Sequence, residues 1–161
     1  MKRLSLLLVL PAMLVSACGD GGQAPKSEGS KTPTAPAIAT DMQSPVEDPF
    51  CYFAAEGTEP LTGDAARYVF VTKTGKSVYQ GYARLDGEVT KLTEVEAGFG
   101  AGMETRRFVS GDDSVELEVI LLEAGESEAA TRYTGSVRVI YPVEGEAVKF
   151  YGECRHESVA E

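Results

Sequence analysis

The chain contains 161 residues, of which 25 are acidic and 15 are Lys or Arg, and its formal net charge is −10 at pH 7. Such an acidic surface repels phosphate groups, so the composition argues against nucleic acid and anionic lipid as partners. The charge allows a cationic partner without identifying one.

The first 17 residues have the composition of an export signal. Lys2 and Arg3 precede the apolar stretch Leu4–Leu14, and small residues follow it. A membrane-spanning helix requires about 20 apolar residues, and this stretch is shorter. We therefore predict a signal peptide over residues 1–17 and an oxidising compartment for the remaining chain.

The residues Val15-Ser16-Ala17-Cys18 resemble the lipobox of bacterial lipoproteins. This resemblance implies cleavage before Cys18 and acylation of that Cys, so that the mature protein contacts the membrane through its N-terminal lipid. Gly19, not Asp, follows the Cys, which favours the periplasmic face of the outer membrane over the inner membrane. The alternative is an ordinary signal peptide with an unmodified Cys18.

Residues 18–49 are predicted to be a disordered tether. The segment contains five Pro and no aromatic residue, so it buries too little apolar surface to offset the entropy of ordering. As a flexible chain it would span roughly 30 Å. It would hold a folded domain away from the membrane.

Residues 50–156 have the pattern of an all-β domain, and residues 157–161 are predicted to be a tail. Turn-forming residues recur about every 8–12 positions, and apolar residues alternate with polar ones between them. Asp86-Gly87 is the clearest hairpin signal, and it pairs Tyr82 with Lys91. We predict about eight antiparallel strands in an up-and-down meander, either a small barrel or a sandwich.

Two cysteines remain for the domain once Cys18 is assigned to the lipid. Cys51 opens the predicted domain and Cys154 lies near its end on the apolar side of the last strand. Their wide spacing differs from that of a catalytic dithiol. We predict a structural disulfide that closes a loop of about 100 residues.

The segment Gly98-Phe99-Gly100-Ala101-Gly102 is the glycine-rich run of the domain. It lacks the Lys of a phosphate-binding loop and the helix of a dinucleotide fold. A flexible connection beside a barrel mouth is one interpretation. The other is a binding loop formed by Gly98, Phe99, Gly100 and Gly102, with Phe99 offered to a ligand or partner.

No catalytic or metal-binding set is evident in the sequence. His156 is the single His and lies near the C-terminus, and a transition-metal site usually requires several His or Cys ligands. Glu116 and Glu118, near Asp112 and Asp113, are predicted to form a solvated strand face. The arginines are predicted to make surface ion pairs. We therefore expect no cofactor, no metal and no enzymatic activity.

In size, strand count and terminal cysteines, the domain resembles the membrane-bound inhibitors of c-type lysozyme. Their Ser-Gly-x-x-Tyr and Tyr-x-x-x-Thr-Lys-Gly elements are absent; Val71-Thr-Lys-Thr-Gly75 matches the second only in part. The resemblance therefore assigns no inhibitory residue in this chain. The sequence predicts an envelope lipoprotein that acts as a non-enzymatic module and binds an envelope protein, a glycan or a small apolar ligand. Inhibition of a cationic hydrolase such as lysozyme is one alternative, and a carboxylate-dependent hydrolase is another.

Overall fold

The computed structural model describes residues 33–59, 61–75, 78–100 and 102–156. The predicted signal peptide, Cys18 and the tail 157–161 lie outside these residues. The described part is all-β, as predicted, and its strands are β1 (Cys51–Ala55), β2 (Phe70–Thr74), β3 (Tyr79–Leu85), β4 (Glu88–Gly100), β5 (Met103–Ser110), β6 (Glu116–Glu126), β7 (Ala130–Tyr141) and β8 (Val148–Arg155). Within it, no helix is long and apolar enough to cross a bilayer.

The strands form a closed barrel in which each pairs antiparallel with the next and β1 pairs with β8. Of the two predicted architectures, the barrel is therefore confirmed. Cys51 lies directly opposite Cys154 across the β1–β8 seam, and their sulfur atoms are bonded. The disulfide thus joins the two strands that close the barrel.

The predicted hairpin at Asp86-Gly87 is confirmed. Leu85 pairs with Glu88 and Tyr82 pairs with Lys91. Asp86 and Gly87 have φ values of 49° and 89°, and left-handed conformations at both central residues match the twist of the flanking strands. We call this end of the barrel, which also holds the β5–β6 and β7–β8 connections, the base, and the opposite end the mouth.

Inward-facing phenylalanines fill the middle of the barrel. The rings of Phe53 and Phe150 lie 4.6 Å apart, and those of Phe70 and Phe108 lie 5.1 Å apart. Gly81 also faces inward, where a Cβ atom would come within 2.5 Å of the Phe70 ring. A small barrel packed in this way has a solid core and not a ligand cavity at its centre.

A segment preceding β1, residues 35–48, lies along the outer wall from base to mouth, and we call it the strap. At the base, the Ala37 N–H donates to Asp86 Oδ1 over 2.8 Å, and Ile38 forms a bridge with Leu85. At the mouth, Asp48 pairs with Arg155 over 3.0 Å.

The strap closes a second apolar cluster on the outside of the barrel. Met42 is only 1% exposed and packs there with Tyr52, Tyr68 and Val71. The described residues before β1 belong to the same compact unit as the barrel, so the boundary predicted at residue 50 is corrected. The physical reason is that Met42 and the outward apolar residues of β1 and β2 cover one another.

Candidate binding surfaces

The predicted binding loop lies at the mouth as the tip of the β4–β5 hairpin. Gly98, Phe99 and Gly100 are strand residues, and pairing continues to Gly100 and Met103. Gly102, with a φ of 79°, takes the left-handed conformation in the turn. The described residues of the segment therefore belong to the end of an extended hairpin and not to a long irregular connection.

Phe99 is the most exposed of the large apolar side chains in the described residues, with 71% of its surface accessible. It pairs with Glu104 across the hairpin, and the Arg106 guanidinium lies 5.9 Å from its ring centroid. A cation at this distance contacts the ring without covering it. The hairpin thus presents an aromatic ring to solvent on a polar support.

Arg106 organises an ion cluster just inside the mouth. Its guanidinium donates to Glu94 over 3.0 Å and to Glu104 over 2.7 Å, and it stacks over the Tyr79 ring at 5.0 Å. Burial alone would lower the pKa of Arg106, but the hydrogen bond and charge of Glu104, with the charge of Glu94, hold that pKa above its usual value. The cluster carries two negative charges and one positive.

A cavity of about 390 Å³ opens beside this cluster and is lined by Phe99, Met103, Glu104, Glu123 and Tyr133, with Gly100 and Gly102. Burial, followed by the charges of Glu104 and Glu123, raises the pKa of Tyr133, whose hydroxyl donates to Glu104 over 3.5 Å. We call Phe99 and this cavity the mouth surface. Its aromatic rings and carboxylates fit a cationic or amphipathic partner better than an anion.

The carboxylates of Glu94 and Glu104 both point to the Arg106 guanidinium and not into an open cleft. Both oxygens of each carboxylate already accept hydrogen bonds. Glu94 accepts from Arg106 and the Tyr79 N–H, and Glu104 accepts from Arg106 and the Tyr133 hydroxyl. Glu94 and Glu104 therefore fit a structural role beneath Phe99. Their arrangement gives no support to a carboxylate-dependent hydrolase.

A second concave surface lies on the outer wall of β6, β7 and β8, and we call it the outer groove. Its volume is about 690 Å³, its floor includes Ile120, Leu122, Thr134 and Ser136, and its sides include Lys149, Tyr151 and the segment Glu56–Glu59. This surface is not among the sites predicted from the sequence. The available signal was the uninterrupted apolar run Val119–Leu122, which places Ile120 and Leu122 on the face opposite the core.

The predicted solvated acidic face is wrong for Glu116 and Glu118, which are partly buried in ion pairs. Glu116 binds Arg107, and Glu118 binds Arg138 over 2.8 Å. The predicted arginine ion pairs are thus confirmed at these positions. The sequence did not reveal these ion pairs because the partners lie on neighbouring strands, where the strand register determines which side chains are adjacent.

The remaining candidates lie away from both surfaces or at their margins. Asp112 accepts hydrogen bonds from the hydroxyls of Ser110 and Ser114 in the β5–β6 turn, which lowers its pKa to about 2. His156 lies at the surface of the mouth end, 3.1 Å from the Thr131 hydroxyl. In the described part of the chain, no group of three or more His, Cys, Asp or Glu side chains is placed to hold a metal ion.

The fold and these two surfaces define a small, filled, disulfide-closed β-barrel with concave sites at one end and on one wall. A comparison with known proteins finds no matching family model, no matching curated protein and no matching solved structure.

Proposed function

We propose that the protein is a lipid-anchored lipoprotein of the bacterial envelope that acts as a non-enzymatic binding module. Cys18 would carry the lipid, and the mouth surface would bind another envelope protein. The outer membrane is the proposed site, on its periplasmic face.

The observation that carries the proposed binding role is the exposure of Phe99. Exposing a large aromatic ring to water is unfavourable, and buried aromatic anchors dominate the energetics of many protein interfaces. Here the ring lies at the tip of a paired hairpin and above the Arg106 cluster. Such a rigid support reduces the entropy that an anchor loses on binding.

A protein partner fits the barrel better than a small apolar ligand. Four phenylalanine rings occupy the middle of the barrel, namely Phe53, Phe70, Phe108 and Phe150. The closed strand order also leaves no free edge to pair with a peptide backbone. Recognition would therefore use side chains on the outside, and the mouth offers the Phe99 ring together with the exposed Glu123.

The binding proposal is tested by a photo-crosslinking amino acid placed at position 99 in cells that make the full chain. The matched control is position 89, because Val89 is 45% exposed but lies at the base. We expect a discrete protein adduct from position 99 and none from position 89. Equal adducts from both positions, or none from 99 in a folded protein, would reject the mouth surface as the interface.

The anchor is tested separately by the mass of the processed N-terminus. We expect acyl chains on Cys18 and a soluble, unmodified chain when Cys18 is replaced by Ala. A processed chain with a free thiol at Cys18 would overturn the anchor and leave the binding proposal intact.

Inhibition of a cationic hydrolase is a second candidate, favoured by the exposed Glu123 at the mouth and by the overall acidity. A c-type lysozyme assay with increasing salt distinguishes it, because charge-driven binding weakens as salt screens it. Unchanged lysozyme activity at stoichiometric excess and low salt would remove this candidate.

A further inference from the structure

The charged side chains around the outer groove differ from the paired arginines of the barrel. In the described residues, five arginines bind carboxylates: Arg84, Arg106, Arg107, Arg138 and Arg155. By contrast, none of the ion pairs found in the same part of the chain involves Glu56, Glu59 or Lys149. These three side chains are exposed at the groove, so their charges are available to an occupant.

Between these charges the floor of the groove combines the apolar side chains of Ile120 and Leu122 with the hydroxyl groups of Thr134 and Ser136. Ile120 and Leu122 point outward from β6, and Leu122 is 44% exposed. The side wall is held in place because the Tyr151 hydroxyl donates to the Thr58 carbonyl. Burial, followed by the charge of Glu59, raises the pKa of Tyr151, which agrees with a carboxylate close to the phenol.

The apolar part of the floor continues beyond the groove. Leu122 pairs with Met103 on β5, and Met103 is 45% exposed. The groove volume of about 690 Å³ already lies in the range of about 300–1,000 Å³ that is usual for ligand pockets. The apolar surface thus continues across the strands from the outer groove toward the mouth surface, and this extent fits a peptide segment better than a compact small molecule.

We propose that the outer groove binds a segment of a partner protein that contains both apolar side chains and Lys or Arg. The apolar side chains would lie on Ile120 and Leu122, and the cations would lie beside Glu56 and Glu59. Charge complementarity selects this occupant, because the groove has two carboxylates on one wall and a single cation, Lys149. Recognition uses side chains alone, since the closed barrel has no free strand edge.

This inference rests on the proposal that the protein is a binding module, but it uses residues other than Phe99. The two sites are therefore separable. Replacing Phe99 by Ala is expected to remove binding at the mouth surface and to leave the outer groove unchanged.

The test uses the full processed chain and a labelled, N-acetylated peptide of sequence KLFKLK that carries a benzophenone. Binding is measured by fluorescence anisotropy, and the crosslinked site is mapped by mass spectrometry. The peptide ELFELE is the charge-reversed control. The matched protein control is Glu88→Gln with Val89→Ser, which removes one exposed acid and one exposed apolar side chain at the base.

We expect crosslinks at Leu122 and Tyr151 and at least tenfold weaker binding of ELFELE. Replacing Glu56 and Glu59 together by Gln should weaken KLFKLK binding about threefold to tenfold, since exposed charge pairs contribute modestly. Leu122→Ser should weaken it by a similar factor, and the control variant and Phe99→Ala should not. Crosslinks at the mouth, equal binding of both peptides, or no binding of KLFKLK would overturn the inference, whatever the crosslink at position 99 shows.

Discussion

Replacing Gly152 by Ala tests how closely the barrel seam is packed. Gly152 lies on β8 opposite Phe53 of β1. A Cβ atom added there would lie 2.0 Å from the Tyr52 carbonyl oxygen and 2.8 Å from the Phe53 Cα atom. Both contacts are with backbone, so no side-chain rotation can relieve them.

The expected loss of stability follows from the displacement of β1 that the added methyl group requires. For the Cβ atom to reach an allowed contact, β1 must shift away from β8 by about 1 Å, which weakens seam hydrogen bonds worth about 1 kcal/mol each. Overpacking in a core costs about 1–3 kcal/mol. Replacing Gly by Ala also stabilises the protein by about 0.4–1 kcal/mol, because Ala lowers the conformational entropy of the unfolded chain. We expect Gly152→Ala to lower the free energy of unfolding by about 2–3 kcal/mol.

The assay is urea unfolding of the oxidised protein, followed by circular dichroism. Gly100→Ala is the matched control, because a Cβ atom at Gly100 meets nothing within 4 Å, and its effect should stay within about 0.5 kcal/mol. If Gly152→Ala were as stable as Gly100→Ala, the close approach of β1 and β8 would be wrong.

Three further predictions concern the seam, the strap and a turn. Replacing Cys51 and Cys154 by Ala should lower the free energy of unfolding by up to about 4.7 kcal/mol, because the bond closes a loop of about 100 residues; chemical denaturation with and without reductant measures this, and insensitivity to reductant would contradict it. Met42→Ala should cost about 2–5 kcal/mol and Met42→Leu less than about 1.5 kcal/mol, and an equal, small effect of both in the same assay would show that the strap does not bury Met42. The pKa of Asp112 is lowered from 3.8 to about 2 in the folded protein, so its stabilising contribution is present above pH 4 and is lost as the pH falls toward 2. Asp112→Asn should therefore unfold more easily than the parent at pH 5 and equally at pH 2, and a difference that grows on acidification would refute this assignment.

Strand positions and one hairpin could be predicted from local pattern. In β7, Val137 and Val139 face the core, as their alternation with polar residues predicts. Asp86-Gly87 predicted both a turn and the register of its hairpin. Both results follow from short-range geometry, because successive side chains of a strand point to opposite faces.

The strap was missed because composition describes only what a segment can bury by itself. Its Pro-rich sequence has too few apolar residues for a core of its own, yet Met42 completes a cluster whose other members belong to the barrel. That cluster exists only after β1 and β2 have placed Tyr52 and Val71 on the outer wall. The sequence of the strap therefore contains no pattern that indicates the apolar barrel surface it covers.

The candidate sites also contain residues that local sequence pattern predicts and residues that only the tertiary structure brings together. Phe99 could be singled out from its glycine-rich surroundings. Glu104 and Arg106 share one side of β5 by alternation, but Glu94 reaches them through the irregular pairing of β4 between Glu94 and Glu96. The outer groove depends on the segment Glu56–Glu59 lying beside β8, which no local pattern predicts.

The sequence by itself determined the all-β class, the meander of eight strands and the cysteine pair, because period-two alternation, turn residues and cysteine count are local properties. Only the tertiary structure decided that the sheet closes into a filled barrel, that the strap belongs to it, and which charges meet at the mouth and the groove. Those outcomes depend on register and on the packing of residues distant in sequence, where a shift of one residue changes every partner.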